Sequence, residues 1–185
     1  MEHRRIDSIW DYYLSLEHDL SNTSRYIEPA GQENVYSFEF AKILILACTE
    51  LESVFKSICL EIRGKTGATI ADYKQVILGR YPKIVNSHVT VKRLGKDISP
   101  FSGWDTTKLS WWDSYQSVKH NRADSFQCAT YWNAVNALSA LYIAIFYLAA
   151  TTDYPYNMLY GSYIDSPYCG NHCLLSPDEK LPDFV

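Results

Sequence analysis

Glycine and proline are scarce, at eight and seven residues in a chain of 185, which argues against a turn-rich β-sandwich. Charged residues reach only 21%, while hydrophobic ones make up 47%, so neither a disordered chain nor a disulfide-stapled miniprotein fits. Internal repeats and low-complexity segments are absent. Gly64-Lys65-Thr66-Gly67 lacks the preceding glycine spacing of a phosphate-cradling loop, and neither a nucleophile elbow nor a Cys2His2 zinc pattern occurs. Kinase, NTPase and hydrolase chemistries therefore fall away. No apolar stretch follows Met1-Glu2-His3-Arg4-Arg5 to serve as a signal peptide. With five cysteines, an odd number, the chain is expected in the cytoplasm with reduced thiols.

Apolar residues at helical spacing are abundant. The length suits one domain with a proper core. The first helix is predicted from about Ile6 to Tyr26, with Trp10, Tyr13, Leu14 and Leu20 as its apolar stripe and Glu28-Pro29-Ala30-Gly31 ending it. A second is predicted from about Asn34 to Arg63. In it Phe40, Ile43, Leu44, Ala47, Leu51, Val54, Phe55, Ile58 and Ile62 recur three or four apart, and Gly64 stops it. Cys48 and Cys59 share a face of this helix and read as buried thiols. A short helix follows from Ile70 to about Leu78. Residues 84–101 change character, and His88–Leu94 with Gly95-Lys96-Asp97 predicts a small β-hairpin or extended insertion.

Helical pattern returns at Leu109, breaks near Asn121 and runs to Ala150. From Ser125 to Thr152 there are 28 residues without a charge. Their strongly apolar part, Ala137–Ala150, is only 14 residues long, which suits the central helix of a bundle better than a membrane span. The expected fold is therefore all-α: an antiparallel helical bundle of four or more helices over residues 1–152. An irregular tyrosine-rich tail, 153–185, is expected to pack on the bundle or on a partner.

Charge is unevenly spread. Residues 63–122 carry eleven Lys and Arg against four acids, a net +7, whereas the rest carries six against seventeen, a net −11, making −4 in all. No acid occurs from Lys74 to Lys96. Such a basic region on an acidic protein attracts phosphate. It nominates Lys74, Arg80, Lys83, Lys92, Arg93 and Lys96 as RNA-steering residues, against the plainer reading of a solvated charge cluster.

The densest constellation is Trp111-Trp112-Asp113-Ser114-Tyr115-Gln116-Ser117-Val118-Lys119-His120-Asn121-Arg122. On a continuous helix Trp111, Tyr115, Val118 and Arg122 share one face, His120 lies on a strip with Asp113 and Gln116, and Lys119 shares the Trp112 side. A histidine beside two cations and an asparagine suits phosphate chemistry. The imidazole exchanges a proton near neutrality, and the cations stabilise charge on a phosphoryl group. The competing reading is an ordinary polar helix end. Glu50 and Glu52 are possible carboxylate partners for the cations, Glu52 being the better placed. Cys169, His172 and Cys173 offer three local metal ligands where a structural zinc site needs four, so neither metal nor cofactor is expected.

Two aromatic-rich helices, a linker, and then Trp-Trp-x-x-Tyr-x-x-Val-Lys-His-Asn-Arg opening a long apolar helix with Asn133 and Asn136 resemble the HEPN superfamily (higher eukaryotes and prokaryotes nucleotide-binding domains). The resemblance covers residues 5–150. It implies an antiparallel helical bundle, usually dimeric, and in many members a metal-independent endoribonuclease of toxin–antitoxin or antiphage systems. By position it carries catalytic roles to Lys119, His120, Asn121 and Arg122, with Glu52, Asp113 and Tyr115 in support. The family's Arg-then-His order is not met, since no Arg here has a His five to seven positions after it. The implied partners are RNA or a nucleotide, a second copy of the chain, and an antitoxin or larger defence complex, with no membrane. The alternatives are a catalytically silent partner-binding module and a nucleotide-binding regulator.

Overall fold

The protein, described from a computed structural model, is defined over residues 2–91, 94–152, 154, 155 and 159, with the side chains of residues 2–4 outside the description. It is an all-α helical bundle with one small hairpin. Helices α1 (Glu2–Thr23), α2 (Phe38–Arg63) and α3 (Ile70–Arg80) precede a 3-10 turn, Pro82–Asn86. Strands β1 (Val89–Val91) and β2 (Lys96–Ile98) come next. Helices α4 (Ser110–His120), α5 (Arg122–Ser125) and α6 (Tyr131–Thr151) complete the order, with a 3-10 turn at Phe126–Cys128.

Helix α2 begins at Phe38, four residues later than its apolar pattern predicts, because the preceding segment has another use. Tyr36 bridges to Thr130, and the carbonyls of Val35 and Glu33 accept from the Tyr131 and Trp132 amides at 2.8 and 2.9 Å. These amides open α6 and have no partner within their own helix. Ser37 then caps α2, its hydroxyl accepting from the Phe40 amide at 3.1 Å. At the other end Gly64 takes a left-handed φ of 70° and returns its N–H to the Leu60 carbonyl, the stop a side chain would strain.

Helix α6 is apolar on all sides and is the centre of the bundle, packed chiefly on α2 and also on α1 and α4. By length and composition alone it is able to cross a membrane, yet 89% of its most apolar window is buried inside the chain. Its asparagines are structural. Asn133 donates to the Cys128 carbonyl and Asn136 to that of Trp132, each at 2.8 Å.

Aromatic residues form two clusters. Trp10 and Tyr13 of α1 pack on Tyr142 and Phe146 of α6. Phe55 of α2 packs on Tyr73, Phe101 and Trp104, and Phe101 meets Trp111. The hairpin pairs Val89 with Ile98 and Val91 with Lys96, turning at Gly95 with φ 59°. The following loop is tied to α4 where the Trp111 indole donates to the Pro100 carbonyl at 2.8 Å.

Beyond α6 only the first tail positions are described. Tyr154 and Leu159 are buried, and the Tyr154 hydroxyl donates to Asp7 of α1, so the tail starts against the bundle. Burial first, then Asp7, pushes the Tyr154 phenol up to about 12. Cys169, His172, Cys173 and the remaining tail tyrosines lie outside the described residues.

Two predictions arise from the packing of α2. Cys48 and Cys59 are fully buried free thiols, whereas Cys128 is half-exposed. Burial raises both buried thiols, Cys48 the more strongly. Alkylation of the native protein, read by peptide mass spectrometry, is therefore expected to modify Cys128 well before Cys48 or Cys59. Glu50 is half-buried, and burial raises its carboxyl against the opposing pull of Arg5. A carboxyl raised in the folded state favours folding when protonated, and that contribution is lost as pH rises through its folded pKa. Glu50→Gln is thus expected to raise Tm at pH 7, with the gain vanishing as pH falls below the ordinary carboxylate range.

Candidate functional site

The constellation around His120 is divided by the fold. Asn121, with φ −144° and ψ 61°, leaves the helical region, so α4 ends at His120 and Arg122 starts α5. This corrects the expectation that Arg122 extends the Trp111–Tyr115–Val118 face. Asparagine is a ready place for such a break, since its side chain bonds locally instead of sustaining the helix. Here its amide donates to Asp124 at 2.8 Å, and its carbonyl accepts the Ser125 amide at 3.0 Å.

Lys119 points back along α4. Its ammonium donates to the Tyr115 hydroxyl at 2.8 Å, which donates to Glu52 Oε1 of α2 at 3.0 Å. The Lys119–Glu52 separation is 3.8 Å, and the ammonium also lies 5.0 Å from the Tyr115 ring centroid. The Tyr115 hydrogen bond, foremost, holds Lys119 above its ordinary range, assisted by Glu52. Burial foremost raises the Tyr115 phenol, with Lys119 and Thr49 pulling it down. Lys119 is therefore a fixed cation and Tyr115 a neutral relay to Glu52.

His120 and Arg122 differ from their neighbours. Both are exposed, and neither makes a hydrogen bond or ion pair among the described residues. The strip expected to unite His120 with Asp113 and Gln116 is divided as well. Asp113 and Gln116 line a cavity with Lys119, whereas His120 does not.

That cavity holds about 550 Å³ between α2, α3, α4 and the loop leading into α4. Glu52, Asp113, Lys74, Lys108 and Lys119 supply its charges; Tyr73, Trp104 and Trp112 supply aromatic surface. Of these, Tyr73, Trp104, Thr107 and Lys108 escaped sequence reasoning. They come from separate segments with no shared motif, and only the packing of α3 and the 104–109 loop against α4 brings them together.

The basic residues between 74 and 96 do not act alike. Lys74 lines the cavity. Arg80 stands 5.5 Å from the centroid of the Tyr81 ring, and Lys83 is exposed on the 3-10 turn. Lys96 is bound to Glu33 at 2.7 Å. Lys92 and Arg93 lie outside the described residues. Among the described residues no group of three or more His, Cys, Asp or Glu is placed to hold a metal ion.

No family model matches this chain, and no curated protein or solved structure matches it.

Proposed function

We propose that this is a HEPN-like helical-bundle protein that acts on RNA at the α4–α5 corner, as a metal-independent endoribonuclease. The observation that carries the reading is the contrast at the corner. Lys119 and Asn121 are engaged within the fold, while His120 and Arg122, on either side of the break, are exposed without a partner among the described residues. An imidazole and a guanidinium held out to solvent are groups with a use outside the chain: one exchanges a proton, the other stabilises phosphoryl charge.

In cleavage, His120 takes the proton from a ribose 2′-hydroxyl or delivers one to the leaving 5′-oxygen. Arg122 binds the phosphate as charge builds on it. Lys119, fixed by Tyr115 and Glu52, adds positive potential at the same helix end. A homodimer sets two such corners into one cleft, in the cytoplasm, restrained by an antitoxin or a larger defence complex. The test is RNA cleavage in EDTA by wild type and His120→Ala. Cleavage that the substitution abolishes supports the reading; absence of both cleavage and salt-dependent RNA binding defeats it.

A second reading is favoured by a different patch. Phe38 and Tyr36 are 74% and 51% exposed, and both pack on the Phe126 ring, at 4.7 and 5.4 Å between centroids. Exposed aromatic clusters of this kind mark protein interfaces. A catalytically silent module would use this surface for its partner, and that module would show partner capture without RNA cleavage.

A further inference from the structure

We propose that the cavity between α2, α3 and α4 is a binding site for a small anion carrying a planar aromatic ring. This goes beyond the reading of the α4–α5 corner and does not depend on it, because His120 and Arg122 do not line the cavity.

Size is the first argument. About 550 Å³ lies within the range of small-molecule sites and far exceeds what one or two waters need. Aromatic lining is the second. The wall is built by Trp104, Trp112 and Tyr73, and Trp104 is anchored from behind by Phe55, stacked at 5.5 Å and 16°. Rigid aromatic walls of this kind suit a planar ring, which stacks on or edges against them.

Charge is the third. Lys74, Lys108 and Lys119 face Glu52 and Asp113 across the lining, an excess of one positive charge. Glu52 and Lys119 are joined through Tyr115. Lys74 and Lys108 have no ion pair or hydrogen bond among the described residues. These two lysines therefore supply the open cationic positions. The start of α3 adds little, since Asp72 takes up the Ala68 and Thr69 amides at 3.0 Å each and Thr69 takes up that of Asp72. Anion recognition thus falls to the lysines. Asp113 and Gln116, likewise on the lining, are placed to accept from and donate to polar groups at the edge of the ring.

The test titrates the full chain with phenyl phosphate, 5′-AMP and salicylate. Adenosine serves as a ring without the anion, and inorganic phosphate as an anion without the ring. Tryptophan fluorescence reports directly, because Trp104 and Trp112 line the cavity; thermal shift provides a second readout. Concentrations extend to about 10 mM, above the ~1 mM Kd of a weak specific ligand. At least one ring-bearing anion is expected to saturate the signal more tightly than both controls. Lys74→Ala and Lys108→Ala are expected to weaken it by roughly tenfold or more, the loss of one charge-assisted hydrogen bond, while circular dichroism shows the fold intact. Binding of 5′-AMP alone identifies a phosphate-bearing source; binding of salicylate alone identifies an aromatic carboxylate. The proposal is overturned if no ring-bearing anion binds, if inorganic phosphate binds as well as they do, or if neither lysine substitution weakens binding. His120→Ala is expected to leave these titrations unchanged, so the outcome is separable from that of the RNA reading.

Discussion

His120→Ala is expected to slow metal-free RNA cleavage by about 10²–10⁴-fold, the usual contribution of one general acid or base, and to leave Tm unchanged. Both halves follow from the same geometry. The side chain is exposed and makes no hydrogen bond or ion pair among the described residues, so truncating it removes nothing that holds the bundle together. Whatever activity is lost is then chemical rather than structural. Arg122→Ala is expected to follow the same pattern, with weaker RNA binding and a shallower salt dependence as one phosphate contact goes. Lys119→Ala is different in kind. It removes the donor to Tyr115 and the cation nearest Glu52, so stability and activity are expected to fall together. Cleavage assays in EDTA beside thermal melts separate the two patterns. Equal cleavage by wild type and His120→Ala excludes this histidine as the catalytic group.

The helices were legible because their signals are local. The three- and four-residue spacing from Phe40 to Ile62, with Gly64 after it, marks α2 and its stop without any tertiary information, and the observed left-handed Gly64 is that stop. The hairpin was legible from Val89, Val91 and the turn at Gly95. The start of α2 was not, because Val35 and Tyr36 carry apolar character that serves the opening of α6 instead of a helix. The same limit applies to the site. Periodicity placed Trp111, Tyr115 and Val118 on one buried face, as observed, but carried Arg122 onto it as well. A single Asn121 dihedral pair breaks the register, and periodicity is blind to one residue. Glu52 was nominated as a partner for the cations from its position near the apolar boundary of α2, and it meets Tyr115 and Lys119 there. The cavity itself left no trace in the sequence, since Tyr73, Trp104 and Lys108 are brought together only by long-range packing.

Phe55→Ala is expected to cost about 3–5 kcal/mol, the range for emptying a buried aromatic position. Phe55 is fully buried and meets three rings: Trp104 in a stack at 5.5 Å, Tyr73 at 5.7 Å and Phe101 at 6.1 Å. These come from α3 and from the loop before α4, so the one side chain joins three segments to α2. Its loss opens a void that the loop is unable to fill without releasing Trp111 from the Pro100 carbonyl. At about 2–4 °C per kcal/mol for a domain of this size, Tm is expected to drop by roughly 6–20 °C. A domain with about 5–15 kcal/mol in total stays folded at 25 °C but loses much of its margin. Phe38→Ala provides the contrast, because that ring is 74% exposed and its removal is expected to change stability by within about 0.5 kcal/mol. The two differ again in what they do to binding. Phe55→Ala frees Trp104, one wall of the cavity, and is expected to weaken any ring-bearing ligand at temperatures where the protein is still folded. Phe38→Ala leaves that wall untouched. A Phe55→Ala protein that melts like wild type would mean that Trp104, Tyr73 and Phe101 hold one another without α2, and the aromatic cluster would no longer explain how α3 and the α4 loop are joined to the bundle.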